Sequence, residues 1–206
     1  MARLSGEQTI PAAPAPAPAP EIEGPDAIGM TRRGLPFERN REFAENGAHV
    51  GASVIPKLAL AVITCLDPRT DPAHFLGLEL SDAFVVRNVG GRVTPEVIND
   101  LAFLSQIAEM VVPEGPLFEV AVIHHTQCGA AALADDAFRR RYAERIEVPE
   151  ETLRDHAIQD PVATVERDIE LLLATSAVSR RVGLSGHVYD VVSGRLQTII
   201  NSEAQS

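Results

Sequence analysis

This 206-residue chain has two cysteines, Cys65 and Cys128, a single lysine, Lys57, and no apolar run near the ~20 residues that a membrane-spanning helix needs. Two cysteines cannot staple a disulfide-built scaffold, and in a reducing compartment they point to a metal or catalytic role. With one lysine, the positive charge is almost all arginine, which suits fixed pairing with carboxylates; GC-rich codon usage would give the same bias. The start has no apolar segment after Arg3, so no signal peptide is expected and the cytoplasm is the expected location. The net charge of −11 leaves no basic face for phosphate contacts, which excludes a general nucleic-acid binder.

Hydrophobic residues at 45% and charged residues at 23% are those of a water-soluble globular chain, long enough for one buried α/β core. Residues 1–36 read as a disordered Pro/Ala-rich tail: alternating prolines from Pro11 to Pro20, with no large side chain, favour extended polyproline II. Residues 37–206 then read as a single α/β domain. Phe37 and Phe43, spaced among charges, predict a short helix ending near Asn46 and Gly47, packed on the domain or on a partner subunit.

Continuous apolar runs predict strands buried on both faces at Leu58–Thr64 and Ala83–Arg87, with a third strand at Phe118–His124 and a last long one at Val182–Tyr189. Thr94, Pro95 and Glu96 make a helix start, and Val97, Ile98, Leu101, Leu104, Ile107 and Ala108 share one face before Pro113. Asp160 and Pro161 open another helix carrying Val165, Ile169, Leu172 and Leu173. Ser193-Gly194 is a turn into a short C-terminal strand, Leu196–Ile200, expected to run antiparallel. The alternation predicts an α/β fold: a mostly parallel open sheet with crossover helices.

Three motifs fall where such sheets place their ligands, at the C-terminal ends of strands. They are Cys65-Leu-Asp-Pro-Arg69, Arg87-Asn-Val-Gly-Gly91 and His125-Thr-Gln-Cys-Gly129. Two thiolates and an imidazole suit a tetrahedral zinc, and three protein ligands leave a position free for water, the arrangement of a catalytic site. His125 and Cys128, three residues apart, can aim at one ion from a single turn, with Cys65 coming from a neighbouring strand end. Asp67 could orient a bound water and Arg69 could orient Asp67. Gly90 and Gly91 permit either close backbone approach or a plain tight turn.

The pairing of CxDxR with HxxCG some sixty residues later resembles the β-class carbonic anhydrases, from about Phe37 to Ile200, and Arg87–Gly91 resembles that family's Arg-Asn-Ala-Gly segment. The resemblance implies Zn²⁺ on Cys65, His125 and Cys128, with Asp67 and Arg69 as a catalytic dyad and Asp67 as fourth ligand in a closed state. It implies reversible hydration of carbon dioxide to bicarbonate by attack of a zinc-bound hydroxide, in a homodimer or higher homo-oligomer with sites near the subunit interface. Pro68, Val89 and His124 depart from the common pattern, where Ser or Ala, Ala and Gly are usual. Hydrolysis of carbonyl sulfide or carbon disulfide on the same scaffold therefore stays open. Without tryptophan, a bicarbonate-inhibition pocket built on that residue is not expected.

Two other classes remain open on the residues alone: a non-catalytic zinc module closed by Asp67, and a thiol redox protein using the two cysteines. His124 is a histidine of the core or one that supports the ligands from behind or, less simply, a proton shuttle. His49 and His156 read as surface residues, His74 as lying near a helix start, His187 as a satisfied sheet residue, and Arg139–Arg141 as one solvated helix face.

Overall fold

Apolar runs that alternate with capped helices build a five-stranded sheet in the computed structural model, which describes residues 31–202. Most of the expected Pro/Ala-rich tail lies outside the described residues. The chain divides into two compact units, residues 1–50 and 51–206. In the first, helix α1 spans Thr31–Glu45. It therefore starts five residues before Pro36, which lies inside it.

In the second unit, β1 (Leu60–Cys65), β2 (Ala83–Asn88), β3 (Glu119–His125), β4 (Gly183–Asp190) and β5 (Arg195–Ser202) lie in the order β2-β1-β3-β4-β5. The first four are parallel and β5 runs antiparallel to β4. The α/β fold expected from the sequence is the one observed. β1 begins at Leu60 rather than Leu58, because Ala59 has a left-handed backbone (φ 46°) and Leu58 is exposed.

The crossovers include α2 (Pro72–Phe75), α3 (Pro95–Val111), α4 (Asp136–Ile146), α5 (Glu151–Arg154) and α6 (Pro161–Ala174). Thr94 caps α3 and Asp160 caps α6, each followed by proline at the first helical position. Side chains alternate along a strand, so each core strand buries two rows. Ala61, Ile63, Val120 and Val122 pack against Val97 and Leu101 of α3 and Val165, Ile169 and Leu172 of α6. Val62, Ala121 and Ile123 form the opposite row with Phe75, Leu76 and Tyr189 around them.

Two side chains lie elsewhere than expected. Ile107, assigned to the buried face of α3, is 46% exposed on that helix's rim. Arg139 is 2% exposed rather than on a solvated face with its neighbours. It donates to the carbonyl of Leu133 and to the carboxylates of Asp136 and Glu150, while Arg140 next to it stays outside. Among the described residues no helix is long and apolar enough to cross a membrane.

Candidate metal centre

Cys65 is the last residue of β1, His125 is the last of β3, and Cys128 follows three residues later as the cap of a 3-10 turn, Gly129–Ala134. The intervening Gln127 holds a left-handed backbone (φ 55°), which sharpens the bend between them. The donor atoms of Cys65, His125 and Cys128 all lie within 4.8 Å of one another, and all three residues are buried. The two Sγ atoms are 3.9 Å apart. A disulfide needs about 2.0 Å, whereas a tetrahedral zinc with Zn–S near 2.3 Å places its sulfurs about 3.8 Å apart.

The imidazole of His125 fits the same role. Its Nδ1 lies 2.9 Å from the Thr126 carbonyl, which only accepts, so Nδ1 carries the proton. That leaves a lone pair on Nε2, a buried atom with no hydrogen-bond partner among the described residues. An orphaned buried acceptor costs stability unless something occupies it. An ion held by Nε2 and the two sulfurs removes that cost.

One of the two thiols is already biased toward ionisation. The Cys65 thiol is drawn down to about 4, chiefly because Cys128 donates to it; burial opposes this, and His125 and the backbone N–H groups of Asp67 and Gly90 assist. Cys128 is pushed up by the Cys65 thiolate and by burial. A divalent cation held between the two sulfurs would displace the remaining thiol proton.

Asp67 caps a second 3-10 turn, Pro68–Thr70, and Pro68 occupies its first position, where its fixed φ and missing N–H fit. The unusual proline is thus suited to its place. Arg69 grips both oxygens of Asp67, Nε to Oδ1 at 3.0 Å and Nη2 to Oδ2 at 2.7 Å, and also donates to the Gln127 carbonyl at 3.1 Å. The guanidinium holds the Asp67 carboxyl at about 2, against the weaker upward push of burial. Arg87 secures the same loop from beneath, donating to the carbonyls of Cys65 and Asp67 and to Asp71. The five residues singled out in the sequence come together here.

Residues 60–196 match the family model described as carbonic anhydrase. The chain belongs to the β-class carbonic anhydrase family. It is 28% identical to beta-carbonic anhydrase 1 of Mycobacterium tuberculosis over 144 residues, 70% of this chain and 83% of that protein. It is 24% identical to a carbon disulfide hydrolase of Acidianus sp. over 161 residues, covering 67% of this chain and 76% of that one. The crystal structure of a carbonic anhydrase from Streptococcus mutans superposes with a TM-score of 0.70 at 29% identity, over 84% of this chain and all of that one.

Sequence reasoning missed the support beneath this family site. Asp168, on α6, is fully buried and ionised. Burial pushes its carboxyl up, but hydrogen bonds from His124 and Arg92 outweigh that and hold it below the ordinary carboxylate range. The signal was present: Thr164, Val165, Asp168, Ile169 and Leu172 are the buried stripe of α6, and an acid within such a stripe requires partners. His124 spends its Nε2 on Asp168 at 3.1 Å and has no exposed surface, which argues against a proton shuttle. His156, expected at the surface, is half-buried, and burial lowers its pKa with Arg92 adding to the effect. His187 is a satisfied sheet residue, bonded to Thr198 and Ser185.

Proposed function

We propose that this chain binds one Zn²⁺ through Cys65, His125 and Cys128 and catalyses the reversible hydration of carbon dioxide to bicarbonate and a proton. The observation that carries this reading is the convergence of two buried thiols on the partnerless Nε2 of His125. Held there, zinc would supply Lewis acidity that lowers the pKa of a water toward neutrality, less fully with two thiolates than with neutral imidazoles. Asp67 is ionised throughout the neutral range and accepts a hydrogen bond from the attacking water, aiming its lone pair at the carbon. Arg69 holds that carboxylate by both oxygens, so its acceptor direction is set before substrate arrives. Ala130 and Ile158 pack on the two cysteines and keep water from the far side of the thiolates.

Both oxygens of Asp67 are committed to Arg69, and three donors converge rather than four, which supports an open resting site. Likeness to a carbon disulfide hydrolase keeps a second reading, attack of the same water on carbonyl sulfide or carbon disulfide. Hydration is preferred because the likeness to beta-carbonic anhydrase 1 is higher over a similar span. The proposed assembly is a cytoplasmic homodimer or larger homo-oligomer acting on carbon dioxide and bicarbonate.

The test is stopped-flow carbon dioxide hydration at pH 6.5–9 on protein of measured zinc content, with carbonyl sulfide and carbon disulfide assayed on the same sample. Fast hydration with one zinc per chain is the expected result. Full zinc with sulfide release and negligible hydration would transfer the site to the second reading. Full zinc with no turnover of any of the three would leave a binding module, and protein that takes no zinc would end the metal reading.

Arg69 gives a sharper expectation. Asp67 has a pKa of about 2 beside Arg69 and would return toward 3.8 without it, so it is ionised at neutral pH either way. Arg69→Met should therefore lower kcat/KM roughly 10- to 100-fold by releasing the carboxylate, by the same factor across pH 6.5–9. A plateau of wild-type height with a shifted midpoint would show instead that Arg69 acts through charge. Because the folded pKa is depressed, the pair's contribution to stability is present above the ordinary carboxylate range. It is lost as pH falls from about 4 toward about 2.

A further inference from the structure

One carboxylate beneath the cluster ties the turn that backs Cys65 to the strand that presents His125. Oδ2 of Asp168 accepts from Arg92 Nε at 2.8 Å, from the backbone N–H of Val93 at 3.1 Å and from His124 Nε2 at 3.1 Å. Oδ1 accepts from Arg92 Nη2 at 2.8 Å. Arg92 also donates to the carbonyl of Asp155. The side chain of Asn88 clasps the backbone of Arg92 from both sides, its amide N–H donating to the carbonyl and its oxygen accepting from the N–H, both at 2.8 Å.

Arg92 and Val93 leave the turn formed by Gly90 and Gly91, which abuts the backbone of Thr64 and Cys65. His124 precedes His125 on β3. Side chains alternate there, so His124 continues the row of Val120 and Val122 toward α6 while His125 turns to the cluster. Asp168 thus fixes the exit of the turn that backs Cys65 and the strand end that presents His125. A hydrophobic residue would fill the space on α6 but could not link three elements by directed bonds.

We propose that Asp168 is a positioning residue for the metal centre, acting through Arg92 and His124 to set the spacing between Cys65 and His125. This rests on the reading that the cluster holds a metal. It assigns to α6, which contributes no ligand, control over how firmly the ion is kept. Asp168 touches neither ion nor substrate.

The experiment uses full-length, zinc-loaded wild-type protein with the variants Asp168→Asn, His124→Leu and His124→Gln. Zinc release into a chromophoric chelator and the visible absorption of the cobalt-substituted forms are read beside far-UV circular dichroism and Tm. Asp168→Asn should release zinc roughly 10- to 100-fold faster than wild type, with displaced cobalt bands and native circular dichroism. His124→Leu should move both readouts in the same direction by a smaller factor, and His124→Gln, which keeps a donor for Oδ2, should restore them.

If Asp168→Asn does not fold, the Leu and Gln pair at position 124 decides, since both leave the Arg92–Asp168 bonds in place. Wild-type release rates and cobalt bands in His124→Leu would overturn the proposal, even with a lowered Tm. A wild-type protein that binds neither zinc nor cobalt would fail the metal reading itself, which is a different result from variants that match a metal-loaded wild type.

Discussion

Cys65→Ser should strip the site of zinc and reduce carbon dioxide hydration to the uncatalysed background. The sulfur is the group most ready to serve: its thiol ionises at about 4, with Cys128 as the main cause, so it is a thiolate at neutral pH. A serine hydroxyl remains protonated there and is a harder donor, poorly suited to share an ion with Cys128. Removing one ligand leaves His125 and Cys128, which come from one short turn and enclose the ion from one side only. If zinc binding by a full set of protein ligands is worth about 10–16 kcal/mol, loss of one ligand costs on the order of 3–5 kcal/mol. That is roughly a hundred- to several-thousand-fold in affinity.

Zinc per chain after dialysis against a weak chelator, with stopped-flow hydration on the same sample, measures the effect. Cys128→Ser should behave alike, because the two sulfurs occupy equivalent places 3.9 Å apart. Native circular dichroism would show that the loss is of the ion rather than the fold, since a hydroxyl nearly matches the thiol in size. Stoichiometric zinc and undiminished hydration in Cys65→Ser would remove Cys65 from the site. A redox role for the two cysteines would give a different pattern, with no zinc in the wild type and an activity that fails on loss of either thiol.

The sheet was legible because its signal is local. Runs such as Val120–Ile123 have no polar alternation, and a strand of that kind must be covered on both faces, which fixes a parallel sheet with crossovers. The three candidate ligands were legible because strand ends concentrate chemistry and both cysteines fell there. Arg139 and Ile107 were misplaced for the opposite reason. Nothing in the run Arg139–Arg141 says which arginine turns inward; that is decided by the carbonyl of Leu133 and the carboxylate of Glu150. Ile107 belongs to the apolar face of α3 by spacing, but spacing does not say how far along that face the packing reaches, and Ile107 stays 46% exposed. Arg92 and Asp168 are 76 residues apart, and only the packing of α6 on β3 brings them together. The acid in the α6 stripe announced that a partner was needed and could not name it.

The two glycines were left in the sequence as either a tight turn or a close approach, and the structure separates them in a way that predicts unequal effects. Both have left-handed backbones, φ 83° at Gly90 and 68° at Gly91, so alanine at either costs about 1–2 kcal/mol in backbone strain alone. At Gly90 a β-carbon would meet the Cδ1 of Ile158 at 2.9 Å, the free end of that side chain, and the Cγ of Arg92 at the less severe 3.2 Å. At Gly91 it would meet the nitrogen of Cys65 and the carbonyl carbon of Thr64, each at 2.7 Å. Those atoms belong to β1, which is paired on both sides by β2 and β3, and cannot yield without moving a ligand. Overpacking of that kind adds about 1–3 kcal/mol. Gly91→Ala should therefore cost about 2–5 kcal/mol, and at roughly 2–4 °C per kcal/mol for a chain of this size its Tm should fall by roughly 5–20 °C. Gly90→Ala should lose only the smaller part. Calorimetry of the two variants at saturating zinc reads the difference, and zinc release should quicken in Gly91→Ala alone, because the strand that gives way carries Cys65. Equal losses in the two variants would mean that the turn shifts as a body and that the contact with β1 does not hold the cysteine in place.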